Sequence, residues 1–358
     1  MGAGVYVLHL AAGLATRSEI ELHVLTRRDD GERWRQLVPA AAVHALVPTR
    51  RPARLAWEQW TGPRVARGLE IDVWHGPHYT SPARVRSASV VTVHDLTFFD
   101  HPEWHERTKV AFFRAAIRHA ARRASVIVAV SEHTATALAH LKPRGAVVVA
   151  PHGVDHERFR PGPRGDDDDI ACLRSIGAAP PYVAFAGTLE PRKNVPGLVR
   201  AFGELARARP ELRLVIAGGD GWGAGAVRDA VERSGAATRI VRPGYVPDAV
   251  LPALYRQAEV VAYPSLDEGF GLPVLEALAC GAAVVTTSGT AMAEVANGAA
   301  RLVPPGNTSA LSTTLRDLLE HTDQANRLRE AGPRRASAFT WPASVDRHVE
   351  AYHLAVGR

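Results

Sequence analysis

With 358 residues, 46% of them hydrophobic, the chain can fill two cores of ordinary size, which excludes wholesale disorder. Its 43 Lys and Arg against 37 Asp and Glu leave a formal charge of +6, which invites anionic partners without ranking nucleotide phosphate, acidic lipid or nucleic acid. Two distant cysteines, Cys172 and Cys280, form neither a disulfide framework nor a metal knuckle, and no run of about 18 apolar residues could span a bilayer.

The first predicted element is a helix over residues 5–15, following a glycine turn at Gly2 and Gly4. Residues 1–19 lack a basic n-region and do not read as a signal peptide, so a cytoplasmic protein is expected. No strand precedes that helix, although in a doubly wound sheet such a strand would be central. The expectation is therefore that the true start lies upstream and supplies an apolar strand.

Short Val/Ile/Ala runs follow at 89–94 (SVVTVH), 125–130 (SVIVAV), 146–150 (AVVVA), 182–187 (YVAFAG), 212–218 (LRLVIAG), 259–264 (EVVAYP) and 283–287 (AVVTT). They do not alternate polar with apolar, so both faces of each strand should be covered. Helical spacing fills intervals such as 108–124 and 196–208. Strand and helix in alternation predict an α/β fold of parallel sheets built from right-handed βαβ units.

One stretch breaks the pattern. Residues 158–181 hold Pro161, Pro163, the acidic run Asp166–Asp169 and the pair Pro180 and Pro181. We place a linker at 161–180 and read the acidic run as a solvated loop, because no His or second acidic cluster accompanies it. This divides the chain into an amino-terminal domain over 1–160 and a second domain over 181–340. A terminal helix over 341–358 would pack back on the first. Ligands of such sheets sit at the carboxyl ends of strands, so a cleft between the two domains is the expected site.

The segment 263–281, YPSLDEGFGLPVLEALACG, follows a buried strand and opens a helix. Gly269 and Gly271 let backbone approach a ligand, Pro273 suits a first helical turn, and Gly281 can end the helix. The positive end of that helix makes an anion the natural guest. Glu268, on the loop, and Glu276, one turn into the helix, can face the same ligand. An acid in a first turn also stabilises a helix without any other role.

The segment 186–195, AGTLEPRKNV, has the same strand–loop–helix setting, with Asn194 as a candidate cap. Arg192 and Lys193 stand at the helix entrance, where they oppose the dipole and cost stability unless an anion compensates. Without a ligand they would be solvated surface cations. Lys193 is one of only three lysines in the chain. His94, in VTVHDLTFFDHPEW, ends a strand of the first domain, with Asp95 placed to orient it.

These segments together resemble the retaining GT-B glycosyltransferases of family 4. GTLEPRKN, the stretch GYVPDAVLPALYRQAEVVAYPSLDEGFGLPVLEALACGAAVVTT, and the later Glu294 and Val295 carry the likeness, with Glu268 and Glu276 in the family's Glu-x7-Glu positions. Residues 151–155 (PHGVD) are similar to the PNGVD that closes the first domain, with His152 where Asn is usual, and 130–134 (VSEHT) is similar to VSxxT. The likeness runs from Val91 to Tyr352, and implies two Rossmann-like doubly wound domains facing a cleft.

The resemblance implies roles for the matched residues. Arg192 and Lys193 hold the donor diphosphate and stabilise the leaving nucleotide; Glu268 bonds the hydroxyls of the transferred sugar. Gly187 and the backbone at Phe270, Gly271 and Leu272 contact sugar and phosphate. Glu276 takes the ribose, and Tyr245 and Val246 flank the base. His94 faces the donor sugar. The departing phosphate assists deprotonation of the acceptor, so no general base is named. Neither a metal nor a cofactor is expected, because the cation pair and the helix dipole do a metal's electrostatic work. The expected activity is hexose transfer, with mannose from GDP-mannose favoured, to a glycan or lipid-linked glycan in envelope polysaccharide synthesis.

Arg50, Arg51 and Arg54 precede Trp57 and Trp60, and 109–124 mixes Phe112, Phe113 and Ile117 with four arginines. Such segments suit peripheral contact with an anionic inner membrane face, or are helices whose apolar side is core. Other classes fare worse. Gly218–Gly223 (GGDGWG) has the wrong spacing for a dinucleotide turn, no G-K-[ST] exists for a P-loop, and no aromatic-basic RNA motif occurs. Another nucleotide-sugar GT-B enzyme using UDP- or ADP-sugar, an epimerase, a phosphorylase or an inactive sugar-nucleotide binder stays open.

Overall fold

A computed structural model describes residues 2–357. The chain divides into two compact units: one runs to Gly153 and resumes at Thr340, the other is Val154–Phe339. Unit one contains, in order, α1 (Gly2–Leu14), β1 (His23–Arg27), α2 (Gly31–Leu37), β2 (Ala42–Val47), α3 (Arg51–Trp60), α4 (Gly62–Gly68), β3 (Val73–Gly76), β4 (Ala88–Val93), α5 (Thr97–Asp100), α6 (Arg107–Arg123), β5 (Val126–Ala129), α7 (Glu132–Ala139) and β6 (Ala146–Val149).

Unit two follows with α8 (Asp167–Arg174), β7 (Tyr182–Ala186), α9 (Val195–Ala208), β8 (Arg213–Ala217), α10 (Ala224–Arg233), β9 (Ile240–Gly244), α11 (Leu251–Arg256), β10 (Val260–Tyr263), α12 (Leu272–Ala279), β11 (Val284–Thr287), α13 (Ala291–Ala296), β12 (Arg301–Val303), α14 (Thr308–Glu320) and α15 (Thr322–Ala336). The last helix, α16 (Trp341–Val356), belongs to unit one, where it packs on α1 and on β3 to β6.

Every strand pair is parallel. In unit one β3, β4, β5 and β6 lie side by side in that order, while β1 and β2 form a separate two-stranded sheet. The unbroken apolar runs of β4 and β5 have two destinations. Val91, Ile127 and Ala129 pack with Ile117 and Ala120 of α6, whereas Val90, Val126 and Val128 pack with Ala351 of α16. Alternate side chains thus enter two helical layers, and both must be apolar. Tyr6, Leu10 and Leu14 form the stripe by which α1 meets Trp341 and Val345 of α16.

Unit two has the strand order β12-β11-β10-β7-β8-β9. The chain lays down β7, β8 and β9 in one direction, then returns to the other side of β7 for β10, β11 and β12. That reversal puts a topological switch between β7 and β10.

Three expectations need correction. Gly2 and Gly4 lie inside α1 rather than in a turn before it. The stretch expected as a linker carries α8 and is part of unit two. Its acidic run is no solvated loop: Asp166 caps the helix by accepting from the Asp169 amide at 3.1 Å, and the acids of the first turn meet the helix's positive end. Asp169 is buried and accepts from Arg256 Nε at 2.8 Å and from Gln257 at 2.9 Å. Those partners lie some 90 positions away, which is why the run looked solvated.

The basic-aromatic segments serve packing to a large extent. Arg114 donates to the carbonyls of Phe98 and Phe99 at 2.7 and 3.1 Å, and the Arg118 guanidinium lies 5.1 Å from the Phe99 ring. Trp57 is half-buried, whereas Trp60 is 61% exposed. Among the described residues, no helix is long and apolar enough to cross a membrane.

Candidate active site at the switch point of unit two

The loops after β7 and β10 meet at the switch. Their backbones are tied by the Leu266 amide, which donates to the Arg192 carbonyl at 2.7 Å. The β7 loop passes through a single helical turn, Pro191–Lys193, before α9 begins. Asn194 holds the cap position of α9 in left-handed backbone, φ 51°, but its side chain makes no capping hydrogen bond, contrary to expectation. It ends the preceding turn instead.

Arg192, Lys193 and Glu268 are in direct contact. The Glu268 carboxylate accepts from the Arg192 guanidinium on one oxygen and from the Lys193 ammonium on the other. Ser265 Oγ adds a hydrogen bond to Glu268 at 3.2 Å. Arg192 Nε also donates to Glu190 at 2.9 Å. Lys193 Nζ donates to the Tyr263 hydroxyl and sits 4.8 Å from the centre of that ring. Both Lys193 and Glu268 are 7% exposed.

Two cations at a helix entrance were expected to cost stability unless an anion compensates; Glu268 and Glu190 supply that charge from within the chain. The electrostatics follow. Burial alone would raise the Glu268 pKa, but Arg192 and Lys193 overwhelm it and hold the carboxyl at about 2. Burial and then Arg192 push the Lys193 amine below its ordinary value, while Glu268 opposes them.

The β8 loop buttresses the β7 loop. Gly218 has φ +145°, and a Cβ there would sit 2.0 Å from the Gly187 carbonyl oxygen, so only glycine lets the two loops touch. Gly221 and Gly223 of the same GGDGWG run likewise crowd the Leu189 carbonyl, so three of its four glycines serve loop packing.

Phe270, Gly271 and Leu272 bring the β10 loop into α12. Gly271 has φ +103°, and a Cβ would lie 2.6 Å from Met292 Cγ, which fixes glycine at the helix entrance. Phe270 is buried and meets Phe339 edge to face at 6.0 Å. One turn on, half-buried Glu276 accepts from the Tyr255 hydroxyl at 3.2 Å. Burial pushes its carboxyl up to about 7, with Tyr255 and Arg158 opposing and Asp248 assisting. Asp248 also accepts from the Tyr245 hydroxyl at 3.4 Å, so the β9 loop and Glu276 share one neighbourhood. Tyr245 is 61% exposed and Val246 is buried.

His94 lies in unit one, just past β4. Its Nε2–H donates to the Pro77 carbonyl at 2.9 Å. Its ring meets those of Tyr6 at 5.2 Å, His78 at 5.4 Å, Tyr79 at 5.6 Å and His152 at 5.8 Å. Burial lowers its pKa, against the Pro77 bond and Asp95. Asp95 accepts from Thr97 rather than orienting the imidazole.

Sequence reasoning missed Glu190, Tyr263, Ser265 and Tyr255. The first three lie inside the segments singled out, where their polar groups beside Arg192 and Glu268 were a usable signal. Tyr255 is an interior helix residue with no local mark, and only the packing of α11 on α12 reveals it.

Residues 174–335 match the family described as glycosyl transferases group 1, and residues 1–158 match Glycosyltransferase Family 4. O-antigen chain mannosyltransferase B of Escherichia coli is 30% identical over 307 residues, covering 85% of this chain and 78% of that protein. Sucrose-phosphate synthase from Thermosynechococcus elongatus has the same fold at 20% identity, with a TM-score of 0.81 over 99% of this chain and 93% of its own. HepE of Anabaena, solved with UDP-glucose, gives a TM-score of 0.78 at 22% identity over 98% and 95%. The chain belongs to the group 1, family 4 glycosyltransferases, with the GT-B fold.

Proposed function

We propose that the chain transfers mannose from GDP-mannose, with retention at the anomeric carbon and without a metal, to a glycan or lipid-linked glycan of an envelope polysaccharide. The observation that carries this is the Arg192, Lys193 and Glu268 cluster at the switch point of unit two. Similarity to an O-antigen chain mannosyltransferase supports the sugar and the acceptor class.

In the proposed reaction the bond from the sugar's C1 to the diphosphate oxygen breaks, and a bond from C1 to the acceptor oxygen forms on the same face. The leaving diphosphate gathers negative charge, which Arg192 and Lys193 stabilise in a site poor in water. The acceptor proton passes to the departing phosphate oxygen. Glu268, ionised at any physiological pH, accepts from sugar hydroxyls while keeping the two cations aimed. Glu276 accepts from the ribose, Tyr245 and Val246 flank the base, and Gly187 with Phe270, Gly271 and Leu272 presents backbone to sugar and phosphate. His94 serves the donor sugar as a neutral hydrogen-bonding group.

The test is transfer from labelled GDP-mannose, UDP-glucose and ADP-glucose to lipid-linked acceptors, with product configuration read by NMR and EDTA present throughout. Retained mannose product in EDTA is expected. Transfer from UDP- or ADP-glucose alone would replace the donor, phosphorolysis or epimerisation without acceptor would replace the reaction class, and loss in EDTA would refute metal independence. The exposed side chains of Trp60, Arg118, Arg122 and Arg123 support contact with an anionic membrane surface, and failure to sediment with phosphatidylglycerol vesicles would remove it.

A further inference from the structure

The Lys193 ammonium can donate three hydrogen bonds, and two of its acceptors lie within the chain, Glu268 and the Tyr263 hydroxyl. They differ in what else reaches them. Glu268 also accepts from Arg192 and Ser265, and an ionised carboxylate offers about four lone-pair sites. A donor sugar that brings two hydroxyls to Glu268 therefore competes with the cations for its oxygens. Tyr263 meets no such competitor. It is 1% exposed, so its hydroxyl lies where a sugar does not reach.

The strands explain how that hydroxyl is held. Tyr263 is the last residue of β10, which pairs with β7. Its ring stacks on that of Phe185 of β7, with centroids 5.3 Å apart and planes 12° from parallel. The Lys193 ammonium stands 4.8 Å from the centre of the Tyr263 ring, a cation–π contact that adds to the hydrogen bond. On the β7 loop, a Cβ built at Gly187 would stand 3.3 Å from the Tyr263 hydroxyl oxygen and 3.4 Å from Phe185 Cζ. Strand pairing, ring stacking and a bare glycine thus fix the phenol, and burial keeps it protonated by pushing its pKa up.

With Arg192 and Lys193 assigned to the diphosphate as proposed above, we infer that Tyr263 is a positioning residue for the transfer, its hydroxyl keeping the Lys193 ammonium aimed at the diphosphate while Glu268 turns to the sugar. Both acceptors hold Lys193 when nucleoside diphosphate binds alone. Tyr263 carries more of that task in the full donor complex, where charge develops on the leaving group. Loss of the hydroxyl thus has little effect on nucleotide binding and a larger one on transfer. It also leaves a buried ammonium with one acceptor fewer, which favours the uncharged amine.

Tyr263→Phe keeps the ring, its stacking and its cation–π contact, and removes one oxygen. Isotope labelling of lysine side chains reads the effect directly by NMR, because only Lys109, Lys142 and Lys193 contribute signals. In Tyr263→Phe the Lys193 signal should titrate at lower pH than in the parent, with Lys109 and Lys142 unmoved. With GDP-mannose, kcat should fall about tenfold and the alkaline limb of its pH profile should move the same way, while GDP affinity stays within about twofold. In a Lys193→Met background the same substitution should change kcat by less than about twofold, since the group it positions is gone. An unmoved Lys193 titration, equal losses in kcat and GDP affinity, or effects of Tyr263→Phe and Lys193→Met that multiply would overturn the role. If Tyr263→Phe melts below the assay temperature, Gly187→Ala replaces it, because its methyl presses on the hydroxyl. Lys193 should titrate at lower pH there too, and no change would equally overturn the role. A Lys193→Met chain with parental kcat and GDP affinity would instead overturn the diphosphate assignment, and the role with it.

Discussion

Two clusters of titratable side chains stand just past the carboxyl ends of parallel strands, and they meet burial in opposite ways. In unit one His78, His94 and His152 follow β3, β4 and β6, with His75 and His348 close by, and burial pushes all five below the ordinary histidine range. Their bonds are those of neutral groups: Tyr6 reaches His348 at 2.9 Å, and His75 bridges Thr92 and Tyr352 at 2.8 Å each. In unit two the cluster holds its charges, with Glu268 against Arg192 and Lys193. A neutral network offers hydrogen bonds and suits hydroxyls. A charged one keeps two cations aimed for an anion, at the desolvation cost that such groups carry.

The widest separation between the two clusters should come from removing the cations. Arg192→Ala with Lys193→Ala is expected to lower kcat by at least about 1,000-fold, since single donors to a developing oxyanion are worth about 100- to 1,000-fold. Steady-state kinetics beside a melting curve checks this, and a variant that still turns over within tenfold of the parent breaks the contrast.

Next comes acidification. A histidine whose folded pKa is depressed lets the unfolded chain bind protons first, so stability is lost as pH falls below about 6.5 toward the folded value. His348, held at about 4, contributes on the order of 3 kcal/mol to that loss. Glu276 runs the other way: its folded pKa of about 7 lies above the ordinary 4.5, so stability forfeited as pH rises through that window returns as pH falls. Between pH 7.5 and 5, unit one should weaken and unit two should not. Hydrogen exchange resolved by unit measures it, and uniform weakening would show that the clusters do not differ as described.

A smaller effect is expected from His94→Ala. If His94 serves the donor sugar as proposed, losing its hydrogen bond should lower kcat about 10- to 100-fold, while nucleoside diphosphate binding stays unchanged. A rise in the nucleotide's dissociation constant matching the drop in kcat would contradict the division of labour. The smallest effect should belong to Glu276→Gln, a loss of about two- to tenfold in nucleotide affinity above pH 7, fading as pH falls and the native carboxyl takes up its proton. A variant that keeps the parent's pH dependence removes Glu276 from the ribose.

What could be read from the sequence follows the same physical lines. Buried central strands declared themselves by unbroken apolar runs, as at Val126–Ala129 and Tyr182–Ala186. The edges did not: β9 is half-buried and ends in Pro243 and Gly244, and β12 has two exposed residues of three. β1, β2 and β3 are mostly half-buried and interspersed with histidines, and they too were missed. Near the switch point, Arg192 and Lys193 drew notice because cations at a helix entrance conflict with the dipole, and Glu268 because it is an acid on a glycine-rich loop. That Glu268 and Glu190 resolve the conflict was not legible, since Glu268 lies some 75 positions on and nothing local marks the pairing.

The measurement that bears most directly on the central claim is calorimetric titration of GDP into the parent chain, the Arg192→Ala and Lys193→Ala double variant, and His94→Ala. Charge-assisted bonds to phosphate are worth about 1.5–3 kcal/mol each, so the double variant should bind at least about 100-fold more weakly, with His94→Ala indistinguishable from the parent. Equal affinity in all three chains would contradict the assignment of the diphosphate to the switch point of unit two.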